Sequence, residues 1–214
     1  MRVKMIATTA MAVVATVAGL AVDARAEVLE KTTFKGNFAS ADFVQDVPIT
    51  CADGSAGVLE TSVGVSGNEF VSHDRQLPNT ANNQVDIFGD VFNTCTQTGV
   101  FGQGSLDNAL TQNALQSATM VGTVALVDFD GNPVGSVTIN LALAGTGPTS
   151  SNQAHDRFTF DTADGPVTFT EHFKGTSRNA TVTGSVVFNG LEMIGDVAFA
   201  NLSQTKNGSG ELLK

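Results

Sequence analysis

Runs of Val, Thr, Phe and Ile alternate along the chain with clusters of Gly, Asn, Asp and Ser, at intervals of about ten residues. This spacing is typical of antiparallel strands joined by tight turns, and helical periodicity is almost absent. The pattern therefore predicts an all-β fold, an antiparallel meander that forms a β-sandwich or a β-barrel of about 10–12 strands, with at most one short helix. The strands are predicted at 30–38, 41–50, 57–66, 68–74, 84–93, 96–102, 117–129, 134–145, 154–161, 166–175, 179–188 and 193–203.

Three other features of the pattern stand out. Residues 106–116 are the helix candidate, because their leucines and alanines lack the period-two alternation of a strand. The longest polar loops are predicted at 77–83 and 146–152, where a partner or a ligand could be met. The segments 117–145 and 179–203 resemble each other weakly, which indicates duplicated hairpins.

Apolar positions also predict the register of one hairpin in the middle of the chain. A three-residue turn at 130–132 would pair Ala125 with Val137 and Val121 with Leu141. In that register the odd-numbered apolar side chains of both strands meet on one face of the hairpin. The even positions of the first strand are also largely apolar, so we expect this hairpin to be covered on both sides.

The first 26 residues have the pattern of an export signal. Arg2 and Lys4 precede a run of small and apolar residues, which ends in a small-x-small cleavage site. We therefore predict a signal peptide at 1–26 and a single all-β domain at 27–214. The mature domain is expected to be exported, to a periplasmic or extracellular location.

Charge and aromatic content argue against two classes of partner. The chain has 11 Lys and Arg residues against 21 Asp and Glu residues, a formal net charge of −10. The sequence contains no run of basic residues that could neutralise phosphate groups, so we predict no nucleic-acid partner. Trp and Tyr, which border membrane-embedded barrels, are both absent. We accordingly predict no membrane span after signal cleavage.

Cys51 and Cys95 are the two cysteines of the chain. An even pair in an exported protein normally forms a disulfide, because the compartment is oxidising. A redox pair would favour Cys-x-x-Cys spacing, and a metal site would need further Cys or His close in sequence. Neither is present, so we predict a structural disulfide between Cys51 and Cys95.

The three histidines, His73, His155 and His172, each lie next to a carboxylate in the sequence. A hairpin with its turn at 162–165 places His155 directly opposite His172. Side chains in such a pair have Cβ atoms about 5 Å apart, which is near enough for two imidazoles to share one metal ion.

Two imidazoles do not make a zinc site, because zinc takes three or four protein ligands. In the predicted register Asp156 and Glu171 point to the opposite face, so a third ligand would have to come from elsewhere, such as His73. The sequence therefore offers two interpretations: a zinc site at His155, His172 and His73, or a pair of histidines on a polar strand face.

No catalytic or calcium-binding motif in the sequence is complete. Residues 128–132 begin like a calcium-binding loop but lack its third ligand before the glycine and its bidentate Glu, so we interpret them as a turn. Motifs that mark a nucleophilic Ser or Cys are absent. We predict no cofactor, with zinc or calcium as the alternatives.

These observations predict an exported, non-catalytic β-domain that acts as a binding protein or as a surface or structural protein. Its ligand would be a protein, a small molecule or a glycan. One alternative is a metal-assisted or hydrolytic enzyme on a β-barrel, with His155 and His172 at its site. Another is a subunit of an extracellular fibre or matrix, which would donate a terminal segment such as 32–38 or 204–214 to a neighbour.

Overall fold

The structure is a computed structural model, and it describes residues 30–74, 80–162, 165–193 and 197–213. The predicted signal peptide at 1–26 and part of the predicted loop at 77–83 lie outside these ranges. All regular structure in the described ranges is β-strand. The ten strands are β1 (Glu30–Thr50), β2 (Ala56–Asp74), β3 (Thr80–Asn93), β4 (Thr98–Asp107), β5 (Leu110–Asn113), β6 (Ser117–Val127), β7 (Pro133–Thr162), β8 (Gly165–Phe188), β9 (Leu191–Glu192) and β10 (Val197–Leu213).

The strands form one antiparallel sheet that closes into a ring. Neighbours follow the order β10, β1, β2, β3, β4, β6, β7 and β8, and β8 pairs with β10 to complete the circle. The short strands β5 and β9 lie off this path and pair with β6 and β8. The all-β, antiparallel prediction is confirmed, and of the two architectures that the sequence left open the structure has the closed one.

Among the described residues, we find no helix with the length and apolar character needed to cross a membrane.

Several predicted breaks between strands are wrong, and the strands are longer than expected. β1 runs without interruption through the predicted gap near residue 40, because Ala39 and Ala41 both point into the core. The predicted loop at 146–152 lies within β7, where only a bulge between Thr146 and Ser150 interrupts the pairing with β8. Its Gly, Thr and Ser residues indicated a loop, but pairing with β8 on both sides of the bulge keeps the segment in the strand.

The predicted helix at 106–116 is also wrong, because this segment contains β5 and two turns. The side chain of Asn83 binds both backbone groups of Leu110, with a donated bond of 2.8 Å to its carbonyl oxygen and an accepted bond of 3.1 Å from its N–H. Positive φ angles at Asn108 and Ala114, 55° and 46°, turn the chain on either side of β5. Contacts with a distant strand therefore override the local pattern.

A single hydrophobic core fills one part of the ring. It is formed by the inward-facing side chains of alternate positions, which are the most deeply buried side chains of the described residues. The largest that are fully buried are Val63, Val65, Val85, Ile87, Met120, Leu126, Val137, Ile139, Leu141, Leu143, Val186 and Leu202.

The predicted register of the β6–β7 hairpin is wrong by one residue. Val124, not Ala125, lies opposite Val137, and Met120 lies opposite Leu141. The even positions of β6 therefore face the core, whereas Val121 is 56% exposed. A shift of one residue reverses the face of every side chain.

The cause of this shift is a β-bulge beside the connection between the two strands. The connection 128–132 leaves Val127 opposite Pro133, and one extra residue in β7, Val134, then places Leu126 opposite Gly135. The carboxylate of Asp128 accepts hydrogen bonds from the N–H groups of Asp130 and Asn132, at 2.9 and 2.8 Å, and so widens the turn beyond three residues. The Asn132 side chain and these backbone groups together hold the pKa of Asp128 below its usual value. Residues 128–132 thus form a turn, as the sequence analysis interpreted them.

One junction of the ring depends on side chains more than on backbone pairing. β4 and β6 share a single register pair, Gln103 with Val127. On the inner side Leu126 lies against Gly102, where an added Cβ would approach the Leu126 Cβ to 2.9 Å. On the outer side Phe101 stacks on Phe129, with ring centroids 4.9 Å apart. We call this junction the β4–β6 seam.

The disulfide between Cys51 and Cys95 is present, as predicted from the sequence. Its Cα atoms are 5.4 Å apart, and it joins the turn after β1 to the turn after β3 at one end of the ring. Gly57 lies directly against it, because a Cβ at this position would overlap the Cys95 Sγ. The disulfide therefore fastens two hairpins that already pair through β2 and β3.

Candidate functional site

At the end of the ring away from the disulfide, five neighbouring strands extend furthest beyond the hydrophobic core in the described ranges. These are β2, β1, β10, β8 and β7. β6 begins only at Ser117, opposite Ala144, whereas β7 continues to Thr162. Because no strand opposite covers them, the inner face of the five extended strands is exposed there. We call this the open end of the ring.

A row of directly paired residues crosses the five strands at the open end. His73 lies opposite Thr33, Thr33 opposite Ser209, Ser209 opposite His172, and His172 opposite His155. Residues that are paired directly in a sheet project from the same face. All five side chains therefore belong to one surface, and polar residues occupy the inner face where the core ends.

The β5 segment crosses the inside of the ring between the core and this row. It is bound to β3 through Asn83, and the Gln112 side chain donates to the Ser203 carbonyl oxygen on β10 at 3.3 Å. A further backbone bond joins the Gly145 N–H to the Gln116 carbonyl oxygen at 2.8 Å. The segment that the sequence analysis had predicted as a helix thus separates the apolar interior from the polar open end.

The open end contains a cleft of about 490 Å³. We call it the basic cleft, because none of the described residues that line it is Asp or Glu while five carry basic side chains. The basic residues are Lys35, His73, His172, Lys174 and Lys206. The other lining residues are Thr33, Phe34, Gln153, Ala154, Phe173, Asn207, Gly208 and Ser209. This volume is within the usual range for small-molecule sites.

A β-bulge in β10 shapes the basic cleft. The pairing of β10 with both neighbours skips one position between Thr205 and Asn207, which leaves Lys206 as the extra residue. The bulge reverses the alternation, so that Asn207 and Ser209 share the inner face with Lys174 and His172. Bulges of this kind frequently re-aim side chains beside functional sites.

The glycine after the bulge is required by close packing. Gly208 lies beneath the ring of Phe34, and any Cβ at this position would overlap the ring atoms. Phe34 and Gly208 are direct partners across β1 and β10. The phenylalanine therefore holds the bulged strand against its neighbour.

The predicted pairing of His155 with His172 is confirmed. The two imidazole rings stack with centroids 4.0 Å apart and an angle of 21° between their planes, and both side chains are exposed. Asp156 and Glu171 lie opposite each other, as predicted, on the other face of the hairpin. His73 lies in the same row but is separated from His172 by β1 and β10.

The zinc site at His155, His172 and His73 stays a prediction. Within the described ranges, no three His, Cys, Asp or Glu side chains come close enough together to hold a metal ion. A third ligand for the stacked pair is thus not found in that part of the chain.

We expect the Asp156–Glu171 pair to make stability depend on pH. Partial burial and the nearby negative charge of Asp156 raise the pKa of Glu171. A raised carboxyl pKa means that the folded state binds the proton more readily than the unfolded state, so stability falls as the pH rises above the ordinary Glu value of about 4.3. Glu171→Gln should therefore stabilise the protein at pH 7 by a few tenths of a kcal/mol, since like charges directly opposite in a sheet are unfavourable.

Urea unfolding at pH 7 and at pH 3.5 tests this expectation. The gain from Glu171→Gln should be present at pH 7 and absent at pH 3.5, where Glu171 is protonated and carries no charge for the substitution to remove. Glu192→Gln, an exposed position opposite Val187, is the control and should change stability equally at both pH values. A gain of the same size at both pH values in Glu171→Gln would contradict the electrostatic explanation.

The three lysines of the basic cleft were not predicted from the sequence. A local signal did exist for one of them, because His172 and Lys174 are two residues apart and must share a strand face. Lys35 and Lys206 gave no such signal, since their strands are far apart in sequence and their proximity depends on the pairing of β1 with β10.

Comparisons with known proteins do not assign this chain to a family. No protein-family model matches the chain, and a search of curated proteins gives no significant match. Among solved structures the chain aligns with one described as the enduracididine biosynthesis enzyme MppR complexed with pyruvate. The identity is 9% and the TM-score 0.24, over 86% of this chain and 88% of that chain. A TM-score of this size carries no argument about fold or activity.

Proposed function

We propose that this protein is an exported, non-catalytic binding domain that holds a small ligand in the basic cleft. The observation that carries this proposal is the change along the inner face of the ring. Over most of its length this face is filled by buried apolar side chains, but at the open end it becomes a cleft lined mainly by polar residues. A concave site with convergent polar groups is the usual form of a small-molecule site.

Export is supported by the disulfide between Cys51 and Cys95 and by the signal pattern at 1–26. Structural disulfides persist mainly in oxidising compartments, such as the periplasm or the extracellular space. A ring fastened by a disulfide therefore suits a protein that works outside the cytoplasm.

The stacked histidines favour one second candidate, a metal-assisted enzyme with His155 and His172 at its site. Their ring centroids are 4.0 Å apart, so both side chains reach the same space.

For the fibre alternative, by contrast, the two segments proposed for donation are already paired within the ring. Residues 32–38 pair on both sides within the ring, with β2 and β10, and the described part of 204–214 pairs with β1 and β8.

Thermal unfolding of the disulfide-bonded protein tests the binding proposal. The probes are sodium pyrophosphate, sodium citrate, glucose, spermidine and zinc chloride, each added separately. A ligand present at a hundred times its dissociation constant adds about 2.7 kcal/mol, which raises Tm by several degrees in a domain of this size. We expect at least one probe to do so.

A variant that fills the cleft makes the test specific to this site. Ser209→Trp places a large ring in the middle of the polar row and should abolish the shift, whereas Val121→Trp, on the outer face of β6, should preserve it. The proposal is overturned if no probe raises Tm, or if the shift persists in Ser209→Trp. A shift specific to zinc that disappears in His155→Ala would favour the metal-assisted enzyme instead.

A further inference from the structure

We propose that the ligand of the basic cleft is a small oxyanion with at least two negative charges, either a phosphate compound or a polycarboxylate. This inference rests on the proposed function, because it names the ligand class of the same site. The new point is that the charge of the ligand, and not its shape or a bound metal, determines which ligand the cleft selects.

Charge is distributed unevenly over the molecule. Acidic residues outnumber basic ones by 21 to 11 in the chain. Of the Lys and Arg residues whose side chains the structure describes, three line this one cleft, and only Arg157 and Arg178 lie outside its lining. Opposite charges would be expected to mix on an ordinary surface. A concave site lined by one sign of charge instead concentrates ions of the other sign.

The three lysines of the cleft lie on neighbouring strands. Lys35 lies on β1, Lys206 at the bulge of β10, and Lys174 on β8, and these three strands are consecutive in the ring. Adjacent strands are about 4.8 Å apart, so the backbone positions span roughly 10 Å across the sheet. Lysine side chains are long and flexible, and their ammonium groups can therefore converge on one multiply charged ion.

Neutral donors complete the surface around the lysines. The hydroxyl groups of Thr33 and Ser209 and the amides of Gln153 and Asn207 all belong to the cleft lining. Hydroxyl and amide N–H groups are the usual companions of lysine in the recognition of phosphate and carboxylate oxygens. A divalent cation would find no carboxylate among the described lining residues, and hard cations need such oxygen ligands.

Calorimetric titration of the disulfide-bonded protein tests this inference, with pyrophosphate, citrate and glucose as probes. We expect pyrophosphate or citrate to bind and glucose not to bind, and the stronger of the two oxyanions identifies which source the cleft prefers. Lys174→Gln should weaken that binding about ten- to a hundredfold, which is the usual effect of losing a charged hydrogen bond. Lys174→Arg, which keeps the charge, should restore most of it.

Arg178→Gln is the matched control, because it removes one positive charge outside the cleft lining and should change the affinity less than twofold. The inference fails, while the proposed function stands, if glucose binds in a manner that Ser209→Trp abolishes and neither oxyanion binds. It also fails if Arg178→Gln weakens oxyanion binding as much as Lys174→Gln does, since the general field of the protein would then be responsible. If no probe binds in this titration and none raises Tm in thermal unfolding, the inference and the proposed function fail together.

Discussion

Removing the disulfide is expected to lower the free energy of unfolding by about 4 kcal/mol in the double variant Cys51→Ala, Cys95→Ala. The bond closes a loop across a sequence separation of 44 residues, and the chain-entropy model assigns a stabilisation of that size to such a loop. Because the disulfide joins two turns at the end of the ring where the core is complete, its loss should loosen β1 to β3 first.

Urea unfolding of the double variant beside the oxidised wild type measures this effect. The reduced wild type, kept in dithiothreitol, is the control and should unfold at the same urea concentration as the double variant. A loss below about 1 kcal/mol in both would contradict the prediction, because the loop would then be restrained already in the unfolded chain.

Leu126→Ala is expected to cost about 2–5 kcal/mol, the usual range for a fully buried leucine. Leu126 is 0% exposed, and at the β4–β6 seam it lies against Gly102 and Gly104. Neither glycine has a side chain that could fill the cavity left behind. Since β4 and β6 share only one register pair, little backbone pairing compensates for the lost contact.

Val121→Ala on the same strand is the matched control. Val121 is 56% exposed in the observed register, so its truncation should change stability by less than about 0.5 kcal/mol. The register predicted from the sequence gives the opposite order, because there Val121 would face the core. Equal losses in the two variants, or a greater loss in Val121→Ala, would therefore contradict the register of the structure.

The two ends of the ring differ in what holds them together. One end is fastened by the disulfide and filled by the core, while the other is an extension of paired strands with exposed polar side chains on its inner face. If the cleft binds an anion, ligand binding would add stability at the end where the core adds least. This separation allows the site to tolerate exposed lysines and histidines without disturbing the core.

The sequence predicted well the features that depend on neighbouring residues. Period-two alternation identified the all-β fold, because a strand places successive side chains on opposite faces. The turn at 162–165 fixed His155 opposite His172, since turn length alone determines which residues face each other in a tight hairpin. The two cysteines left one possible intramolecular disulfide. Where a wider connection is followed by a bulge, as at 128–135, the same reasoning missed the register by one residue.

The tertiary structure decided everything that depends on distant strands. β5 is a strand because Asn83 binds Leu110 from across the chain, and the long β7 and β8 persist because each is paired along its length. No run of basic residues in the sequence indicated the basic cleft. It exists because closure of the ring places β10 between β1 and β8, which brings Lys35 beside Lys174 and Lys206. Local alternation and turn residues determine a hairpin. Which strands lie beside that hairpin depends on the burial of the whole core, and this arrangement places the lysines of the cleft together.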